Sequence, residues 1–78
     1  VKMYPNPVSN TLYLDLSYDV RWIGKTIFIT NLVGQSIKNV TISSKVQAVD
    51  VSNFKPGIYF LAAKNDQGLS MKMKFIKL

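Results

Sequence analysis

The chain has 78 residues, a mass of 8.8 kDa and no cysteine, histidine or glutamate, so it has neither disulfides nor the nitrogen and sulfur ligands of zinc, iron or copper sites. Ten lysine and arginine residues against four aspartates give a formal charge of +6, and 47% hydrophobic residues place the chain among globular rather than disordered sequences. The carboxylates Asp15, Asp19, Asp50 and Asp66 are spread along the chain, which argues against an acid–base site and leaves binding, structure or addressing as the role.

Pro5-Asn6-Pro7 fixes two φ angles and pushes the residue before each proline toward extended geometry. In Leu12-Tyr13-Leu14-Asp15-Leu16 the leucines share one face while Tyr13 and Asp15 share the other, which predicts a half-buried strand. Ile27 and Ile29 with their flanking threonines predict a second strand, and Asn31-Leu32-Val33-Gly34 a glycine-containing loop of hairpin length. Ser36 to Ile42 reads as a third strand with Val40 and Ile42 in one apolar phase, and Val49 and Val51 mark a short fourth.

Lys55-Pro56-Gly57 fits a type II turn with Gly57 at the positive-φ position. Gly57 to Ala63, apolar on both faces, predicts a central strand in which Tyr59 packs in the core with its hydroxyl satisfied near a loop. Asn65-Asp66-Gln67-Gly68 predicts another hairpin loop. In the last strand Met71, Met73 and Phe75 alternate with Lys72 and Lys74, until Ile76 and Lys77 exchange faces at a bulge or a frayed end. Helical periodicity is almost absent. The expected fold is an all-β, small antiparallel sandwich of six or seven short strands, forming one domain over residues 1–78.

Basic residues interleaved with aromatics suggest nucleic acid, but a strand puts Lys72 and Lys74 opposite Phe75, so the ring cannot stack a base beside them. Lysines guarding a solvated face or sheet edge are the plainer reading, and the remaining basic residues form no stripe. Asn39-Val40-Thr41 matches a glycosylation sequon and Asn65 to Gly68 the start of a calcium loop; both patterns are too short to carry weight. The longest apolar run, Ile58 to Ala63, is far below membrane-helix length, so no membrane insertion is expected. The start at Val1 without a signal peptide points to a fragment of a longer protein. Trp22, beside Arg21, reads as partly buried core, or else as a member of an exposed aromatic cluster with Tyr13 and Tyr18.

Four segments stand in a telling order: Tyr4-Pro5-Asn6-Pro7-Val8, Ile29 to Gln35, Asp50 to Leu61, and Lys72 to Leu78 at the end of the chain. Together they resemble the type A C-terminal sorting domain of the type IX (Por) secretion system of Bacteroidetes, over Tyr4 to Leu78. Asn31 and the basic Ala62-Ala63-Lys64 depart from the usual pattern.

The resemblance implies an immunoglobulin-like seven-stranded sandwich without catalytic residues, cofactor or metal. It implies that cargo reaches the periplasm by a separate signal and crosses the outer membrane to the surface or medium. The implied partners are the outer-membrane translocon with its shuttle components and a surface sortase that removes the domain, not nucleic acid. Within that framework Lys72, Lys74, Phe75, Ile76, Lys77 and Leu78 are the recognition candidates, with strand addition as the mode of capture. Pro5, Asn6, Pro7, Gly34, Pro56, Gly57 and Tyr59 are expected to set structure. Deleting Lys74 to Leu78 is expected to retain cargo in the periplasm while most of the sandwich stays folded. The competing reading is a generic immunoglobulin-like module that binds glycan or protein through Tyr13, Tyr18 and Trp22.

Overall fold

Period-two alternation of apolar residues builds almost every element of this chain. The computed structural model describes residues 1–64, 68 and 70–78. Its strands, in chain order, are β1 (Lys2–Tyr4), β2 (Thr11–Asp15), β3 (Thr26–Asn31), β4 (Ser36–Thr41), β5 (Val46–Asp50), β6 (Gly57–Lys64) and β7 (Ser70–Lys77). One short 3-10 turn, Val20–Trp22, interrupts the pattern between β2 and β3. The strands form a three-stranded sheet ordered β1-β2-β5 and a four-stranded sheet ordered β4-β3-β6-β7, with antiparallel pairing between neighbours. The expected immunoglobulin-like sandwich is thus what the chain forms.

The core comes from one phase of each strand. Leu12, Leu14 and Leu16 face Ile27, Ile29, Leu61 and Phe75 across the two sheets, and all are fully buried. Ile42 is equally buried although it lies just past β4, while Val40 is only half-buried. The central position expected for Gly57–Ala63 is realised, since β6 lies between β3 and β7. Its second face, with Phe60 and Ala62, is only half-buried.

One turn expectation changes. Gly57 has φ +153 rather than the value near +80 of a type II turn, and it already begins β6. The reversal comes earlier, where Phe54 N–H donates to Val51 C=O at 3.0 Å. Asn65, Asp66 and Gln67 of the expected β6–β7 loop lie outside the described residues. The flanking pair Lys64↔Ser70 nevertheless closes the β6–β7 ladder.

Trp22 resolves to core, 4% exposed, with its indole N–H donating to Asp19 Oδ2 at 2.9 Å. The proposed aromatic cluster is therefore not formed: Tyr18 is fully in solvent, and Tyr13 stacks instead on Tyr4 with centroids 5.6 Å apart. Tyr59, buried between Phe54 and Phe75, donates its hydroxyl to Lys55 C=O at 2.7 Å. A tyrosine at the start of this strand, tied to the backbone just upstream, is a hallmark of immunoglobulin-like corners.

Candidate functional site

The ladder registers bring the four motif segments to one pole of the sandwich. Asn31 at the end of β3 pairs with Tyr59, Gly57 at the start of β6 pairs with Lys77, and Val8 bridges to Lys77 in parallel. The opposite pole holds Lys2, Asp15, Thr41 and Val46, together with the 3-10 turn. Segments far apart in sequence thus meet at one end of the sandwich.

The hairpin at this pole is organised by Asn31. Its side-chain oxygen accepts from Val33 N–H at 3.1 Å and Gln35 N–H at 2.9 Å, while its amide donates to Gln35 Oε1 at 2.7 Å. Gly34 closes the loop at φ +87, a conformation that suits glycine because it has no Cβ. Asn31, a departure from the family pattern, is therefore a good turn former, since its short amide can reach backbone N–H groups two and four residues on. Between this hairpin and Pro56 lies a shallow, mostly apolar depression of about 290 Å³. Leu32, Val33 and Ile58 line it and are exposed, and Ile76 stands exposed directly across from Ile58.

The edge of β7 is closed over half its length. Asn6 Nδ2 donates to Lys74 C=O at 3.2 Å, and Asn6 Oδ1 accepts from Ile76 N–H at 2.9 Å. Val8 N–H then donates to Ile76 C=O at 2.8 Å, and Leu78 N–H donates to Val8 C=O at 2.9 Å. The side-chain amide of Asn6 stands in for a peptide group and continues the short parallel ladder begun by Val8. Pro5 and Pro7, both preceded by cis peptide bonds, flank it and carry the chain from one sheet to the other.

Lys77 departs from the sequence expectation. The β7–β6 register runs without a shift to Gly57↔Lys77, so there is neither a bulge nor a frayed end. Lys77 occupies the inward phase with Met71, Met73 and Phe75 and is 8% exposed. Its stem is buried and its ammonium turns back to Leu78 C=O at 2.8 Å. The exposed cations of the strand are Lys72 and Lys74, on the outer sheet face, where Lys72 Nζ lies 5.0 Å from the Phe60 ring centroid. Phe75 is fully buried, so deleting Lys74 to Leu78 removes core as well as surface, contrary to the expectation that most of the sandwich would stay folded.

Near the pole, Asp50 is held below the ordinary carboxylate range by hydrogen bonds from the Ser52 hydroxyl at 2.6 Å and Ser52 N–H at 2.9 Å. Asp19 is lowered chiefly by its bond from Arg21, at 2.8 Å. Asp15 is lowered first by the Ser17 hydroxyl and then by Ser17 N–H, which reaches Asp15 Oδ1 at 2.9 Å. Each of these three carboxylates is thus tied into a local turn. The region presents an apolar depression, a strand edge and two exposed lysines.

The sequence singled out Pro5, Asn6, Pro7, Gly34, Pro56, Gly57 and Tyr59 and the terminal strand, but not their convergence. Val8, Leu32 and Val33 lay within the motif segments without being marked as site residues. Fully buried Val8 carries no periodic signal, because it belongs to an isolated bridge.

Residues 2–78 match the family described as the secretion system C-terminal sorting domain. Beta-agarase A of Zobellia galactanivorans is 32% identical over 71 residues, which is 91% of this chain and 12% of that protein. The chain therefore spans a small part of this curated relative. No solved structure matches. With the family match covering nearly the whole chain and its four motif segments meeting at one pole, the chain belongs to the Por secretion system C-terminal sorting domain family, the sorting signals of type IX secretion.

Proposed function

We propose that this domain is the address of a longer secreted protein and that the pole formed by its four motifs is read during export. In this reading the cargo reaches the periplasm under a separate signal, and the folded domain directs it through the type IX outer-membrane translocon. A surface sortase then removes the domain, and any catalytic chemistry belongs to the polypeptide to which it is attached. The observation that carries the reading is the convergence, in a member of a sorting family, of Asn6, Gly34, Pro56-Gly57 and the end of β7 at one pole of the sandwich.

The candidate recognition residues divide by accessibility. Lys72, Lys74, Ile76 and Leu78 are exposed and available to a receptor, whereas Phe75 and Lys77 act by holding the strand in place. Fusion of residues 1–78 to a passive periplasmic reporter in a type IX host tests the role. The reporter is expected at the surface or in the medium, and its retention in the periplasm defeats the proposal. A surface product shortened by the mass of the domain identifies the sortase step.

A further inference from the structure

The Asn6–Val8 clasp fixes which backbone groups of β7 point away from β6. Lys74 C=O and both backbone groups of Ile76 face outward, as does Leu78 N–H, because Asn6 and Val8 bond them there. Alternate residues of an extended strand direct their groups to the same side, so those of Ser70 and Lys72 face outward too. Among the described residues nothing pairs with Lys72 N–H, Lys72 C=O or Lys74 N–H. Among the described residues the edge is thus sealed from Lys74 C=O onward and open from Ser70 to Lys74 N–H.

The side chains beside the open half select what can occupy it. Lys72 and Lys74 stand exposed on one face of the strand, across from Ala62 and Phe60. A second copy added antiparallel about Lys72 sets lysine against lysine, and such like-charge pairs are unfavourable across strands. An incoming strand with carboxylates at alternate positions instead meets both ammonium groups along its length.

We propose that the open half of the β7 edge, Ser70–Lys74, takes an extended acidic segment of a partner protein as an added strand, with Asn6 as the stop that sets its register. Main-chain bonds to Lys72 and Lys74 supply affinity, and the two lysines supply sign selectivity. Identifying the partner with the export machinery rests on the sorting role proposed above; the binding site itself does not.

The test titrates this chain with a short peptide alternating valine and glutamate, read by amide hydrogen exchange and by binding isotherm. The amides of Lys72 and Lys74 are expected to gain protection, while a valine–lysine peptide does not bind. Lys72→Pro removes an outward donor while leaving the bonds to β6, a placement that edge strands tolerate, so it should weaken binding by about tenfold with the fold retained. If that variant unfolds, Lys72→Glu/Lys74→Glu carries the same test through charge, with the peptide preference inverted. No protection at Lys72 and Lys74, or unchanged affinity in the folded variants, overturns the proposal. Export separates it from the sorting role. If the unaltered tail exports a reporter and the folded Lys72→Pro tail exports it equally, the partner is not part of the export machinery, and the peptide titration alone decides the strand site. If the unaltered tail exports nothing, the sorting role falls whatever the peptide does.

Discussion

The side chain of Asn6 accepts a hydrogen bond from the backbone N–H of Ile76 at 2.9 Å, 70 positions away along the chain. With its second bond to Lys74 C=O, this amide ties the first turn of the molecule to its last strand. Asn6→Ala should destabilise the domain by about 1–2 kcal/mol, the net worth of two such bonds at an exposed edge. Asn6→Asp should be no rescue, because it sets a carboxylate oxygen against the Lys74 carbonyl. The urea midpoint should fall in both variants, and Ile76 amide exchange should quicken well before that of Leu61.

Phe75→Ala should cost about 3–5 kcal/mol, the usual range for emptying a fully buried phenylalanine site. That is comparable to the whole stability of a thin-cored domain of this size, so the variant should be largely unfolded at 37 °C. Circular dichroism and Trp22 emission report it. A variant that stays folded with an unchanged midpoint refutes the placement of this ring in the core.

Tyr59→Phe removes the hydroxyl bond to Lys55 C=O and keeps the stacking on Phe54 and Phe75. A loss of about 1 kcal/mol is expected, measured as a shift in urea midpoint without a change in slope. Export of the fusion should be untouched if Tyr59 serves only the fold.

Lys72→Ala/Lys74→Ala should leave stability within about 0.5 kcal/mol, since both side chains lie at the surface. Export of the reporter should nonetheless fall. Equal export by the double variant and the unaltered tail removes these lysines from recognition.

Acid should act through the turn carboxylates. Asp15, Asp19 and Asp50 all lie below their ordinary value of 3.8 in the folded chain, so the unfolded state takes up protons first as pH falls. Their contribution is present above about pH 4 and is lost as pH drops through the depressed folded values. With no histidine or glutamate in the chain, urea midpoints at pH 7 and pH 5 should agree, and that at pH 3 should be lower. Trp22 emission is a direct probe, because Asp19 holds its indole N–H.

Strands were legible from sequence wherever one face is buried and the other wet, as in Leu12-Tyr13-Leu14, because alternation records the sheet directly. Lys2–Tyr4 was not, since three residues carry too little pattern to mark a strand. Lys77 misled for a different reason: its type signals solvent, yet its long stem can lie buried with only the tip turned out. The clasp was invisible because Asn6 finds its partners in tertiary space, and no local period encodes a contact with Lys74. Trp22 was ambiguous until Asp19, three residues before it, supplied the partner that its buried N–H requires.

β1 runs from Lys2, at the pole away from the motifs, to Tyr4 beside them. A passenger joined ahead of Val1 therefore departs from the far end of the sandwich. Under the sorting role proposed above, the size of a passenger would then bear little on access to the motif pole, as a luggage label reads the same on any case.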